Sequence, residues 1–178
     1  MYIARKSIEC SVAGKRFMVP EEIRNRNSRP AGVFTTVKKN GLLRGCIGFI
    51  YPTYPVWEAV QKSAILSVTE DPRFPPVQSG EVAELGIEIT VLGTLERLDL
   101  LQGSGLKEVS IGKDGLYITD GIRSGLLLPQ VATENNLDER EFIIETAYKA
   151  GIDPGDVFSG NADIYRFPAV IIEDNPLP

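Results

Sequence analysis

The chain has 178 residues, of which 43% are hydrophobic and 24% charged, and its formal net charge is −5. These values predict an ordinary globular protein with room for one domain and a smaller lobe. No apolar run approaches the roughly 20 residues that span a bilayer, which excludes a transmembrane helix. The absence of histidine excludes Ser-His and Cys-His catalytic pairs and histidine-based zinc or iron centres.

Charge is distributed unevenly along the chain. Residues 1–46 hold ten Lys and Arg against three acids, whereas the rest hold nine basic and twenty-one acidic residues. The basic stretch 24–29 carries no aromatic residue, so we expect a solvated loop and no nucleic-acid partner. Cys10 and Cys46 are too few for a disulfide framework, and residues 1–10 lack the apolar segment of a secretory signal. A cytoplasmic location is the resulting expectation.

The first half of the chain predicts a helix, a hairpin and a second helix. Apolar residues recur on one face over 2–13, which predicts the first helix, and 15–31 is a basic, proline-bounded connection. Strands are predicted over 32–37 and 42–50, joined by the turn Lys39-Asn40-Gly41. The second helix starts near Pro55 and ends at Asp71-Pro72, with a buried stripe at Val56, Val60, Ala64 and Val68.

The second half adds strands and one more long helix. Clean alternation predicts a strand over 85–95, and glycine turns bracket a short strand over 116–119. Residues 121–130 read as partly extended, 138–150 as a helix ending at Gly151, and 164–172 as a closing strand. This mixture of hairpins and separate helices predicts an α+β fold, with a mainly antiparallel sheet flanked by helices and a smaller lobe.

The motif LRGCIG, residues 43–48, contains the first candidate site. In a regular strand Leu43, Gly45, Ile47 and Phe49 face the core, while Arg44, Cys46 and Gly48 face the other side. Arg44 then lies about 7 Å along the strand from Cys46, and a guanidinium that close favours the thiolate over the thiol. The alternative is that Cys46 is a small packing residue and Arg44 reaches an acidic partner.

Glu88 is the acidic residue most in need of explanation, because it lies inside the apolar strand predicted over 85–95. One interpretation is that Glu88 is an ordinary strand residue whose side chain faces solvent. The other is that Glu88 lies beside Arg44 and Cys46 and is a proton acceptor or the partner of an arginine.

Five segments give the chain a resemblance to a known family. LRGCIG, DPRFPPV at 71–77, LGIEITVL at 85–92, GIRSGLLLPQVATE at 121–134 and AYKAG at 147–151 resemble the AMMECR family (AMME syndrome chromosomal region protein), in its archaeal or bacterial single-domain type. The resemblance implies one domain over 1–178 with the α+β architecture described above. It implies no reaction, but it suggests a pathway shared with a Memo-like protein and a radical-SAM protein as partners.

Two functions remain open from the sequence. In the first, an enzyme or enzyme component uses Cys46 as its thiol, supported by Arg44 and with Glu88 as acid–base group. In the second, a non-catalytic adaptor binds an anionic small molecule or peptide in the same cleft. The expected ligand-binding residues are Gly45, Gly48, Arg73, Arg123, Ser124 and Gln130. Neither function requires a metal or another cofactor, and we favour the first.

Overall fold

A computed structural model describes residues 1–101 and 105–174 of the chain. The chain divides into two compact units, which are described in turn. The first contains Met1–Leu92 and the chain from Val170, and the second contains Gly93–Ala169.

The first unit contains an antiparallel sheet and helices. Its helices are α1 (Tyr2–Val12), α2 (Glu21–Arg26) and α3 (Val56–Thr69). Its strands are β1 (Val33–Lys39), β2 (Leu42–Phe49) and β3 (Leu85–Leu92), and a 3-10 helix covers Ser79–Glu84. Strand β1 lies between β2 and β3, and β2 is at an edge of the sheet. The predicted hairpin, its turn and both long helices are confirmed.

Helix α3 packs against one face of this sheet. The predicted stripe is largely buried, with Val60, Ala64 and Val68 at 5% exposure or less. The same face of the sheet supplies Val37, and burying these apolar side chains supplies the main stabilising term of the unit. One polar contact crosses the interface, a 2.7 Å hydrogen bond between the hydroxyls of Thr35 and Ser63. It satisfies two hydroxyls that burial would otherwise destabilise.

A β-bulge at Arg44 changes which side chains of β2 face the core. Val37 pairs with Gly45, but the next residue, Lys38, pairs with Leu43, so Arg44 has no partner of its own in β1. Because strand side chains alternate, this extra residue moves Leu43 to the opposite face. Leu43 is 42% exposed, and its prediction as a core residue is wrong.

The second unit contains the remaining strands and three helices. Its strands are β4 (Glu96–Arg97), β5 (Asp114–Thr119), β6 (Ser124–Leu127) and β7 (Asp163–Asp174). The last residues of β7, from Val170, belong to the first unit. The helices of the second unit are α4 (Pro129–Glu134), α5 (Glu139–Ala150) and α6 (Pro154–Phe158). A 3-10 helix covers Gly105–Glu108. All pairings are antiparallel, in the order β4-β7-β5-β6.

Helix α5 has the clearest sequence signals of the second unit. Asp138 and Glu141 form a reciprocal capping box at its start, and Gly151 ends it with a φ of 69°. Its inward residues include Phe142 and Ile143, both fully buried. The predicted helix is therefore confirmed, as is the α+β class of the chain. The single domain predicted over 1–178 stays a prediction, and residues 175–178 lie outside the described chain.

In the described ranges no helix has the length and apolar character needed to cross a membrane.

Candidate functional site

Cys46 lies on the edge strand, and its backbone is held from outside the sheet. Its N–H donates to the Asp71 carboxylate at 2.8 Å, and its carbonyl accepts from the Arg73 guanidinium at 3.3 Å. Since both backbone groups point outward, Cys46 and its partner Thr36 form a non-hydrogen-bonded pair, in which side chains approach closely. The Thr36 hydroxyl accordingly donates to Cys46 Sγ at 3.3 Å.

Asp71 and Arg73 form the brace that holds this edge. The guanidinium of Arg73 donates to the Asp71 carboxylate through Nε at 2.9 Å and Nη2 at 2.6 Å. Asp71 is 5% exposed and also accepts from the backbone N–H of Arg73. These bonds from Arg73, with a smaller contribution from the backbone of Cys46, lower the pKa of Asp71 well below its usual range. The carboxylate is therefore ionised at neutral pH and fixed in place.

Arg73 interacts with the Cys46 thiol as well as with Asp71. Its pKa is raised chiefly by Asp71, and in addition by an interaction with the Cys46 side chain. Arg73 is half exposed, and Cys46 is half buried. Both cysteines of the chain are free thiols. The side chain of Cys46 thus interacts with both the Thr36 hydroxyl and the Arg73 guanidinium.

Arg44 is engaged on the other side of the bulge. Its guanidinium forms a two-pronged pair with Glu81, through Nε and Nη2 at 3.1 Å each, and donates to the carbonyl of Pro75 at 2.9 Å. Arg44, followed by the backbone N–H of Gln78, lowers the pKa of Glu81 to about 2. These side-chain hydrogen bonds of Arg44 tie β2 to the segment after α3.

Glu88 belongs to the same sheet face as Cys46 but lies two strands away. Thr36 pairs with Cys46 on one side and with Glu88 on the other, so the three residues form a row across the sheet. Two strand spacings separate the outer members by about 10 Å. Glu88 is 5% exposed and forms an ion pair with Lys38 at 3.0 Å. The buried carboxylate is thus compensated by a cation.

At the two motif glycines, Gly45 and Gly48, neighbouring groups of the protein fill the space that a side chain would need. A Cβ at Gly45 would lie 2.0 Å from the carbonyl oxygen of Ser67 in α3. A Cβ at Gly48 would lie 2.3 Å from the ring of Phe34, its direct partner in β1. Both positions require glycine because backbone or an aromatic ring lies where a side chain would begin.

The other predicted residues lie in the second unit. Arg123 belongs to the turn between β5 and β6, where it pairs with Asp120 and donates to the carbonyl of Gly151. Hydrogen bonds from the backbone of Arg123 and Ile122, together with that side chain, lower the pKa of Asp120 to about 2. Ser124 begins β6 and is exposed, and Gln130 is half buried at the start of α4. The structure groups Arg44, Gly45, Cys46, Gly48, Arg73 and Glu88 in the first unit.

Sequence reasoning missed Thr36 and Glu81. Thr36 carried a usable signal, because hairpin register through the Asn40-Gly41 turn places it near Cys46. Glu81 follows a proline-rich connection, and nothing local links it to Arg44. Among the described residues no cluster of three or more Cys, Asp and Glu side chains has the arrangement to hold a metal ion.

Comparisons with known proteins agree with this architecture. The family model described as AMMECR1 matches residues 1–172. A protein of Thermococcus kodakarensis is 42% identical, over 97% of this chain and 87% of its own, and one of Nanoarchaeum equitans is 39% identical over 97% of both. The crystal structure of an uncharacterized protein from Pyrococcus horikoshii superimposes with a TM-score of 0.91 at 39% identity, covering 97% of this chain and 88% of that one.

Proposed function

The chain belongs to the AMMECR1 family of uncharacterised proteins, and we propose that it is an enzyme or enzyme component whose reactive group is the Cys46 thiol. The family match confirms the resemblance found in the sequence. Two contacts carry the proposal: the Thr36 hydroxyl donates to Cys46 Sγ, and the Arg73 guanidinium, which donates to the Cys46 carbonyl, also interacts with the Cys46 side chain. Such donors interact more strongly with a thiolate than with a thiol, and the thiolate is the nucleophilic form.

The brace gives this thiol a fixed position. Asp71 accepts a hydrogen bond from the backbone N–H of Cys46, and Arg73 donates one to its carbonyl. These two bonds fix the position of the strand segment that carries the sulfur. Fixed placement of a nucleophile lowers the entropic part of a reaction barrier. In this proposal Arg73, rather than Arg44, supports the sulfur, and Arg44 positions the strand through Glu81.

Glu88 has a separate part in the proposal. The strand that carries Thr36 lies between Glu88 and Cys46, so Glu88 acts on a group of the bound substrate and not on the thiol itself. Arg123, Ser124 and Gln130 stay candidate ligand-binding residues, as the resemblance implies. We further propose a cytoplasmic protein that works in one pathway with Memo-like and radical-SAM proteins, as that resemblance also suggests.

The geometry favours this function over an adaptor that binds an anionic partner. Such an adaptor needs cations for an added anion, but Arg44 already pairs with Glu81 and Arg73 with Asp71. The Cys46 side chain, by contrast, interacts with Arg73 while the pair with Asp71 is intact. An incoming anion would therefore compete with carboxylates already in place, of which Asp71 is buried.

Alkylation of the two cysteines tests the proposal. With iodoacetamide at neutral pH and mass-spectrometric readout, Cys46 should react faster than Cys10, which has the cation Lys6 nearby but accepts no side-chain hydrogen bond at its sulfur from the described residues. Arg73→Met should slow the reaction of Cys46 by up to about fivefold, since a charge contact of a half-exposed side chain is worth roughly 0–1 kcal/mol. Arg44→Met is the matched control and should have a smaller effect. A larger effect of Arg44→Met would refute the assignment of Arg73.

Two further variants separate a reactive thiol from a packing thiol. Thr36→Val removes the hydroxyl donor with little change in shape and should also slow alkylation of Cys46. Cys46→Ser should leave the free energy of unfolding within about 0.5 kcal/mol of wild type if the sulfur serves chemistry. An inert Cys46 together with a clearly destabilised serine variant would leave the adaptor as the better explanation.

A further inference from the structure

An open pocket of about 500 Å³ lies between the end of α1 and the middle of α3. It exists because the side of α1 that faces it carries small residues, Ser7 and Ser11, one turn apart. On α3 the wall consists of Gln61 and Ile65, also one turn apart, and the loop after α1 closes the third side. This volume falls within the range of small-molecule sites.

The loop wall is fixed by hydrogen bonds and ring contacts. The backbone N–H of Lys15 donates to the carbonyl of Cys10 at 2.8 Å, which folds the loop back on α1. The Gln61 side chain donates to the carbonyl of Phe17 at 2.9 Å, which ties the loop to α3. The ring of Phe17 also meets Tyr2 edge-on, with 5.9 Å between centroids. The pocket is therefore formed before any ligand arrives, which reduces the entropy lost on binding.

The mouth of the pocket carries two uncompensated positive charges. Lys15 and Arg16 are exposed, and no acidic side chain of the described residues lies within 4 Å of either. The nearby acids are already engaged, Glu9 by Lys6 and Glu58 by Lys62. Both residues belong to the basic first part of the chain, in which residues 1–46 hold ten Lys and Arg against three acids, although the net charge of the whole chain is −5.

We propose that this pocket binds a small organic anion, a molecule with an apolar body and a phosphate or carboxylate group. The apolar body contacts Phe17 and Ile65, and the anionic group accepts hydrogen bonds from Lys15 and Arg16, with the Ser11 hydroxyl as a third donor. The pocket is distinct from the Cys46 site, because α3 packs on the opposite face of the sheet from Cys46. Binding at either site can therefore fail without the other.

An NMR titration with phenyl phosphate tests the proposal directly. Saturable shifts should be confined to backbone amides around the pocket, including Gly14 and Ser11. Phenol, which lacks the charge, and inorganic phosphate, which lacks the apolar body, should each bind at least tenfold more weakly. Absence of saturation by phenyl phosphate, or shifts centred elsewhere, would overturn the proposal without any variant being made.

Variants then test whether the positive charges of Lys15 and Arg16 contribute to binding. Lys15→Met/Arg16→Met should weaken binding of phenyl phosphate by about tenfold or more, since hydrogen bonds to charged groups are among the strong ones. The control Arg26→Met/Arg29→Met removes the same charge from exposed positions that do not line the pocket and should leave binding within about twofold. Ser11→Leu places a larger side chain in the pocket without changing the charge and should abolish binding of phenyl phosphate. Equal losses in both double variants would reduce the effect to general electrostatics and refute the site.

Discussion

Replacing Gly45 with alanine probes the closest packing in the first unit. The new methyl carbon would lie 2.0 Å from the carbonyl oxygen of Ser67 and 3.1 Å from its carbonyl carbon. Van der Waals contact requires more than 3 Å, so either β2 or α3 must move by about 1 Å or more. The obstacle is helix backbone, which cannot rotate away as a side chain could.

The expected loss of stability follows from this geometry. Overpacking of a well-packed core costs about 1–3 kcal/mol, and a backbone obstacle places Gly45→Ala at or above the upper end of that range. For a chain of this size, 3 kcal/mol corresponds to a decrease in Tm of roughly 6–12 °C. Urea unfolding followed by circular dichroism measures the free energy, and a thermal scan gives Tm.

Gly80→Ala is the matched control for this experiment. Gly80 lies in the 3-10 helix Ser79–Glu84, and a Cβ there would have no heavy atom within 4 Å. The alanine should be neutral or stabilise by about 0.4–1 kcal/mol, because it restricts the unfolded chain. If Gly45→Ala and Gly80→Ala unfold at the same urea concentration, the contact with Ser67 is not the reason for the glycine.

Two other predictions concern Glu81 and Leu43. The pKa of Glu81 falls from 4.5 to about 2 on folding, so the stability that ionised Glu81 contributes is complete above about pH 4.5 and is lost as the pH falls towards 2. The free energy of unfolding of Glu81→Gln should therefore converge on that of wild type as the pH is lowered over this interval. A difference between the two proteins that stays constant with pH would contradict this linkage. Leu43→Ala should change stability by less than about 0.5 kcal/mol, whereas Ile87→Ala, at a buried position, should cost about 2–5 kcal/mol by urea unfolding. A large loss from Leu43→Ala would place Leu43 in the core after all.

Periodicity predicted the long elements because each buries one face. The stripe of α3, the alternation of β3 and the capping residues of α5 all lie within the segments that they describe. Helices α2, α4 and α6 were missed for the opposite reason, since six, six and five residues are too few to establish a helical period.

The error at Leu43 shows a different limit. Alternation along β2 assumes an unbroken strand, but the bulge at Arg44 inserts one residue and reverses the facing of everything before it. The residues of LRGCIG do not predict the bulge, because the bulge depends on how β2 pairs with β1 and on the partners of Arg44. Glu81 and Pro75, which bind that guanidinium, are more than thirty residues away.

The candidate site was predictable in part for the same reasons. The sequence correctly grouped Arg44, Gly45 and Cys46 on one strand, because neighbours in a strand remain neighbours in space. It could not show that Arg73 is the cation beside the thiol, because that contact depends on the turn after α3 folding back to the edge of β2.

Packing now accounts for the conspicuous residues of LRGCIG except one. Gly45 accommodates the backbone of α3, Gly48 accommodates the ring of Phe34, and Arg44 ties β2 to Glu81. Cys46 engages the brace only through its N–H and carbonyl, which any residue except proline would supply. Alanine or serine would occupy nearly the same volume, so neither strand geometry nor the brace requires sulfur at this position. What specifically involves the sulfur is the hydrogen bond from Thr36 and the interaction with Arg73, and the proposed reactivity of Cys46 depends on these two contacts.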